Sequence, residues 1–186
     1  MIGLLGLGAV IVAIILYAIS IYNRLVKNKT MVEEGWSGID VQLKRRSNLI
    51  PNLLATVKGY MKHEKDILTE VTRLRANAEA AEGKSPAERS QAEQALSGGL
   101  LKLFAVMENY PDLKADKNVL EFQNSLEELE NEIQMSRRYY NGSVRNLNVL
   151  VESFPSNLIA NYFSFIKAEF FEIMDDSERA LPKVEF

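Results

Sequence analysis

A single heptad seam restricts what this chain can fold into. Val32, Trp36, Ile39, Leu43, Arg46, Ile50, Leu53, Val57, Tyr60, Glu64, Ile67, Val71 and Leu74 recur in steps of four and three. Ten of these thirteen are aliphatic or tryptophan, one is Tyr60, and only Arg46 and Glu64 are charged. A stripe with that period belongs to a helix that turns one face to other helices. At about 1.5 Å per residue, a single helix over 32–74 spans roughly 65 Å. The other helices are expected to pack along it.

The stretch before the seam is of a different kind. Residues 1–23 carry no charged side chain, and at about 1.5 Å each they reach far enough to cross a ~30 Å hydrocarbon layer. A signal peptide wants a basic start and a small-x-small cleavage site; no basic side chain precedes the run, and Ala18-Ile19-Ser20 is a poor site. A core helix this long and this apolar would be unusual. Residues 1–23 therefore read as a transmembrane anchor, with Tyr17 and Tyr22 suited to the interface. Arg24, Lys27 and Lys29 follow the run, and the positive-inside rule places the N-terminus outside and the domain in the cytoplasm. The expected location is the cytoplasmic (inner) membrane, crossed once. Gly35 and Gly38 only weaken the helix, so the anchor is expected to run on into the seam. Pro51 cannot donate to the Ser47 carbonyl and predicts a kink.

After the seam helix ends near 79–83, Ser85-Pro86-Ala87-Glu88 forms a capping box with proline at the first helical position. The helix it starts carries Ala92, Ala95, Leu96, Leu100, Leu103, Phe104 and Met107 on its apolar face, and Gly98-Gly99 in its middle reads as close packing or as a hinge. Tyr110-Pro111 closes it. Asp116 is the expected N-cap of a further helix with the seam Phe122, Leu126, Leu129, Ile133, Ser136, Tyr140, Leu147, Leu150 and Phe154. Pro155 stops that helix and Ser156 can cap a last, aromatic-rich one that includes Leu158, Tyr162, Phe163, Phe165, Ile166, Phe170 and Phe171. The expected fold is all-α: a transmembrane helix running into an antiparallel bundle of about four long helices. The bundle domain is expected over 24–175 and an acidic tail over 176–186.

Composition excludes several chemistries. With no cysteine and one histidine, thiolate chemistry and any site needing two imidazoles are out. No cofactor or metal is expected, and His63 beside Glu64 lacks the spacing of a metal pair. Residues 1–75 carry a net +5 and residues 76–186 a net −8. No basic aromatic platform appears, so nucleic acid is not an expected partner. Arg46 and Glu64 stand on seam positions, where charge is costly unless paired. Either their long side chains snorkel out, or Arg46 belongs to a buried polar layer with a partner on the acidic helix that carries Glu127, Glu128, Glu130 and Glu132.

Four segments then stand out in order: Leu43–Asn52 (LKRRSNLIPN), Glu108–Ala115 (ENYPDLKA), Arg137–Asn141 (RRYYN) and Phe154-Pro155, behind an anchor followed by Tyr22–Val26 (YNRLV). Over nearly its whole length the chain resembles the LemA family. The resemblance implies a helical bundle on one N-terminal membrane helix, with the N-terminus outside, and implies no catalytic mechanism. As structure, Pro51, Pro111 and Pro155 shape helix paths. Arg45, Arg46, Asn48 and Asn52 add polar groups that Tyr110, Tyr140 and Asn141 could meet, together with Glu64, in a bundle layer or partner contact.

The expected function is a membrane-anchored scaffold or interaction protein without catalytic activity. The alternative is an enzyme or metal-binding bundle using interior carboxylates such as Glu64 and Glu108. The expected partners are the lipid bilayer through residues 1–23, other membrane proteins, and further copies of the chain. Self-association is expected because the long seam outruns the second helix, because the last helix is apolar on several faces, and because anchoring confines copies to one plane.

Overall fold

The computed structural model describes residues 2–172, which are all-α with six helices. They are α1 (Ile2–Lys58), α2 (Lys65–Ala80), α3 (Pro86–Met107), α4 (Pro111–Lys114), α5 (Lys117–Glu152) and α6 (Ser156–Tyr162). The apolar run and the first half of the seam form one uninterrupted helix, α1, of 57 residues. It passes through Gly35, Gly38 and Pro51. Among the described residues the chain divides into two compact units: 2–40 with 134–170, and 41–133 with 171–172.

In the first unit, α1 and α5 run antiparallel. Trp36 meets Tyr140 with ring centroids 5.4 Å apart, and further back Ile21 and Leu25 pack with Leu147 and Ala160. The helices lie close together at Gly35, where an added Cβ would lie 3.0 Å from the Tyr140 Cα and 3.1 Å from a Tyr139 ring carbon. The weak point in the sequence is thus the place where α5 needs the room.

The N-terminal part of α1 is not a core helix. Leu7, Val10, Ile14 and Leu16 are more than half exposed, and only 11% of its most apolar stretch is buried. It is long and apolar enough to cross a membrane.

The second unit joins five helical segments, from α1, α2, α3, α4 and α5, around one core. Ile50, Leu53, Val57, Met61, Val71, Leu96, Leu103, Leu113 and Val119 are fully buried or nearly so. The capping box is complete: Ser85 Oγ accepts from the Glu88 N–H, and Glu88 accepts from the Ser85 N–H. Asp116 Oδ1 accepts from the Asn118 and Val119 N–H groups at 2.9 and 3.4 Å and so starts α5. Gly99 is a packing point, since a Cβ there would lie 2.5 Å from Leu74 Cδ1.

Three expectations need correction. The seam over 32–74 is two helices: α1 stops at Lys58 and α2 starts at Lys65. Gly59 weakens the helix there, the Tyr60 and Met61 N–H groups both turn back to the Val57 carbonyl, and Met61 is driven into the core. Both helices need an apolar stripe toward the same core, and the turn happens to preserve the phase.

The last helix is also short. α6 ends at Tyr162, Ser164 takes a left-handed conformation (φ 59°), and the following residues are not helical. Side chains of α5 supply the bonds a helix would have made internally. Asn148 accepts from the Ala168 N–H at 2.9 Å and donates to its carbonyl at 3.0 Å, and Tyr140 Oη donates to the Glu169 carbonyl at 2.7 Å.

Finally, Ser156 does not cap α6. It is the first residue of α6, and its hydroxyl donates to the Ser153 carbonyl. The Phe154-Pro155 peptide is cis, and Phe154 is exposed rather than in the seam. The expected tail over 176–186, with residues 173–175 of the expected bundle domain, lies outside the described residues.

Candidate functional site

The most unusual chemistry in the chain is a buried ion network in the second unit, and it starts at Arg46. The seam turns Arg46 inward, and only 3% of the residue is exposed. Its guanidinium is bonded on both arms. Nη2 donates to Glu93 Oε2 at 2.6 Å and to the Glu93 carbonyl at 3.2 Å. Nη1 donates to Glu130 Oε2 at 2.8 Å and to Ser97 Oγ at 2.7 Å. The other oxygen of Glu93 is held by Arg89 Nη2 at 3.1 Å. Arg89 Nη1 in turn donates to the Ala78 carbonyl at 2.7 Å, in the last turn of α2, where the Ala81 N–H reaches the same oxygen at 3.2 Å. Two arginines and two carboxylates thus balance in charge and tie α1, α2, α3 and α5 together. A planar guanidinium suits this work because its donors form a rigid fork.

A second set of bonds explains Pro51. Proline has no N–H to give the Ser47 carbonyl, and Arg75 Nε of α2 takes that carbonyl at 2.9 Å. Arg75 Nη2 holds Glu79 at 2.6 Å, and Glu79 accepts from Ser47 Oγ at 2.8 Å. The ring Ser47–Arg75–Glu79 closes on itself, and the helix continues through the proline with its orphan carbonyl satisfied.

An open groove of about 560 Å³ lies over the network between α3 and α5. Arg46, Ser97 and Glu130 form its polar wall, and Leu100, Leu101, Phe104 and Leu126 its apolar one. Leu101 is 71% exposed and the Glu130 side chain 41%. This mixture of apolar surface with a few fixed polar groups is that of a binding site.

The other expected site residues do not join this set. Arg45 is exposed and donates to Gln42 at 2.9 Å. Asn48 and Asn52 are exposed, Asn48 in a shallow groove with Arg45, Glu128 and Glu132. Glu64 accepts from Tyr110 Oη at 3.0 Å beside the α1–α2 turn, and its negative charge raises the Tyr110 pKa above the ordinary tyrosine value through that bond. Tyr60 donates to Asp116 at 3.0 Å in the same way, which raises Tyr60 and lowers Asp116. Tyr140 and Asn141 belong to the first unit, where burial, then the nearby Glu169 charge, pushes the Tyr140 hydroxyl up to about 12.

Glu64 is only half-buried and Glu108 is exposed, so neither is the interior carboxylate the alternative reading names. Among the described residues the buried carboxylate is Glu93. Among the described residues, no three His, Cys, Asp or Glu side chains stand together in a way that would hold a metal ion.

The sequence reading missed Arg89, Glu93 and Ser97 on α3. The α3 seam Met107, Leu103, Leu100 and Leu96, continued backwards by three and four, lands on Glu93 and Arg89. That continuation was the available signal.

The LemA family model matches residues 35–186. The chain belongs to the LemA family. Protein LemA of Metamycoplasma hominis is 26% identical over 152 residues, covering 81% of this chain and 68% of that protein. Magnetosome protein MamQ 2 of Paramagnetospirillum magneticum is 25% identical over 187 residues, covering 87% and 68%. Magnetosome protein MamQ of Magnetospirillum gryphiswaldense is 24% identical over 186 residues, with the same two coverages. The LemA-like segment 43–52 is the one that carries Arg46, Ser47 and Pro51, so it supplies the α1 side of both sets of bonds. The segment 108–115 supplies Tyr110, Pro111 at the start of α4, and the buried Leu113.

Proposed function

We propose that this LemA-family chain is a single-pass membrane scaffold whose helical bundle stands in the cytoplasm and works by binding other proteins rather than by catalysis. The observation that carries this reading is the N-terminal part of α1. It is uncharged through residue 23, mostly exposed among the described residues, and continuous with the helix that builds both units. An apolar helix this long has no satisfactory place in water. Arg24, Lys27 and Lys29 support an N-terminus outside and the domain in the cytoplasm under the positive-inside rule. The inner membrane is the membrane proposed. The buried network supports a scaffold, since it fixes four helical segments in one register and leaves a firm groove over Arg46.

Self-association remains part of the proposal on narrower grounds. With the helix broken at 59–64, no single seam of roughly 65 Å is left to outrun α3. The anchor still confines copies to one plane and orientation, which raises their effective concentration and favours cyclic symmetry about the membrane normal.

The test of the anchor is alkaline carbonate extraction of membranes containing the full-length chain. The chain is expected to stay in the membrane pellet; release into the supernatant would count against it.

A further inference from the structure

The first unit carries an apolar surface that the anchor does not account for. Around the α5–α6 corner, Phe154 is 78% exposed, Leu158 59%, Tyr162 81%, Phe163 50% and Ile166 80%. Clusters of this kind mark contact with something apolar. The same corner is fixed to α1 from its inner side: Ala160, with Ile159 and Phe165, packs against Ile21 and Leu25. The Tyr22 ring lies 4.6 Å from that of Phe163 and 5.9 Å from that of Phe165. Tyr22 is the last aromatic before Arg24 ends the uncharged run. The corner is therefore held at the height where the anchor leaves the hydrocarbon.

We propose that the α5–α6 corner is a second membrane contact, in which Phe154, Leu158, Tyr162, Phe163 and Ile166 rest in the lipid headgroup interface beside the anchor. The inference rests on the anchor reading and adds to it a lipid-facing surface more than a hundred residues away in sequence. Tyrosine and phenylalanine at this depth suit an interface, with the tyrosine hydroxyls among the headgroups and the rings against acyl chains. The flanking cations Arg24, Lys27 and Lys29 suit an anionic leaflet. Lipid is the occupant favoured over a second copy because lipid already surrounds the anchor at this height. Two contacts, one through the bilayer and one along it, would hold α1 and α5 at a set depth and tilt where a lone helix would leave the domain free to swing.

The chain has no cysteine, so single cysteines can be placed at will. Full-length Leu158→Cys, Tyr162→Cys, Ile14→Cys and Asn77→Cys, each labelled with an environment-sensitive fluorophore, are reconstituted into phosphatidylcholine vesicles with a minority of phosphatidylglycerol. The vesicles contain lipids whose nitroxide sits either near the headgroup or near the chain end. The probes at 158 and 162 are expected to lose most of their emission to the shallow nitroxide and much less to the deep one. The probe at 14 should show the reverse order, and the probe at 77 should respond to neither. If 158 and 162 are unquenched while 14 is quenched, the corner is out of the membrane and the inference is overturned with the anchor intact. If 158 and 162 are unquenched and the unlabelled Leu158→Cys and Tyr162→Cys chains form disulfide-linked dimers in the same vesicles, a second chain covers the corner, which also overturns it. If no probe is quenched, the anchor reading fails first and takes the inference with it.

Discussion

Removing Arg46 should cost this protein more stability than removing any of its neighbouring arginines. Arg46→Ala deletes donors to Glu93, Ser97 and Glu130 at 2.6 to 2.8 Å. The damage is graded by what each partner can do next. Glu130 has a side chain 41% exposed and returns to water. Glu93 is 7% exposed and cannot, but it keeps Arg89 at 3.1 Å. Stranding one half of a buried ion pair costs about 3–5 kcal/mol, and the retained Arg89 contact places Arg46→Ala near 3 kcal/mol.

The assay is urea unfolding of the full-length chain in detergent, followed by far-ultraviolet circular dichroism. With a slope of about 2 kcal/mol/M, the midpoint should fall by roughly 1.5 M. Adding Glu93→Gln to Arg46→Ala should deepen the loss, because it leaves the buried Arg89 without its carboxylate. Arg45→Ala, at an exposed position, should change stability by no more than about 0.5 kcal/mol. A loss below about 1 kcal/mol for Arg46→Ala, the scale of a surface pair, would refute the reasoning.

The remaining predictions test other contacts in the same assay. Gly35→Ala should destabilise although alanine is the better helix former by about 1 kcal/mol, because the neighbour at 3.0 Å is the Tyr140 backbone and not a flexible side-chain end; a stabilised variant would show that α1 and α5 are not so close. Arg75→Ala should cost about 1–3 kcal/mol by orphaning the Ser47 carbonyl, and clearly less in a Pro51→Ala background, where residue 51 can donate to that carbonyl itself; equal costs in both backgrounds would deny the link. Tyr140 has a folded-state pKa raised from 10.0 to about 12, so the unfolded chain loses its proton first as pH rises. The stability this group contributes is whole below pH 10 and is lost between 10 and 12; stability of Tyr140→Phe should therefore fall less steeply across that window, as urea midpoints at successive pH values would show.

The parts of this fold that were legible in the sequence are those set by local chemistry. The Ser85 capping box, the Asp116 cap, the apolar run that leads α1, and the heptad stripes each follow from residues a few positions apart. The position of Arg46 on its seam was legible for the same reason. Its partners were harder, because Glu93 and Arg89 interrupt the apolar face of α3, and a seam is ordinarily traced by its aliphatic residues. The turn at 59–64 was hidden because period alone does not distinguish one helix from two in phase. Pro51 showed that a carbonyl would be left open, but nothing local points to Arg75 as the group that fills it. The non-helical stretch after Tyr162 was not legible at all: its composition suits a helix, and it is held instead by Asn148 and Tyr140 of α5, which depend on how the chain folds back.

The most direct test of the account is the side of the membrane on which the bundle stands. Asn77 is exposed on α2, and full-length Asn77→Cys gives a single thiol in a chain that has none of its own. In intact cells an impermeant maleimide should leave it unlabelled, and permeabilising the cytoplasmic membrane should make it react fully. Labelling while that membrane is still intact would place the bundle on the far side and contradict the account.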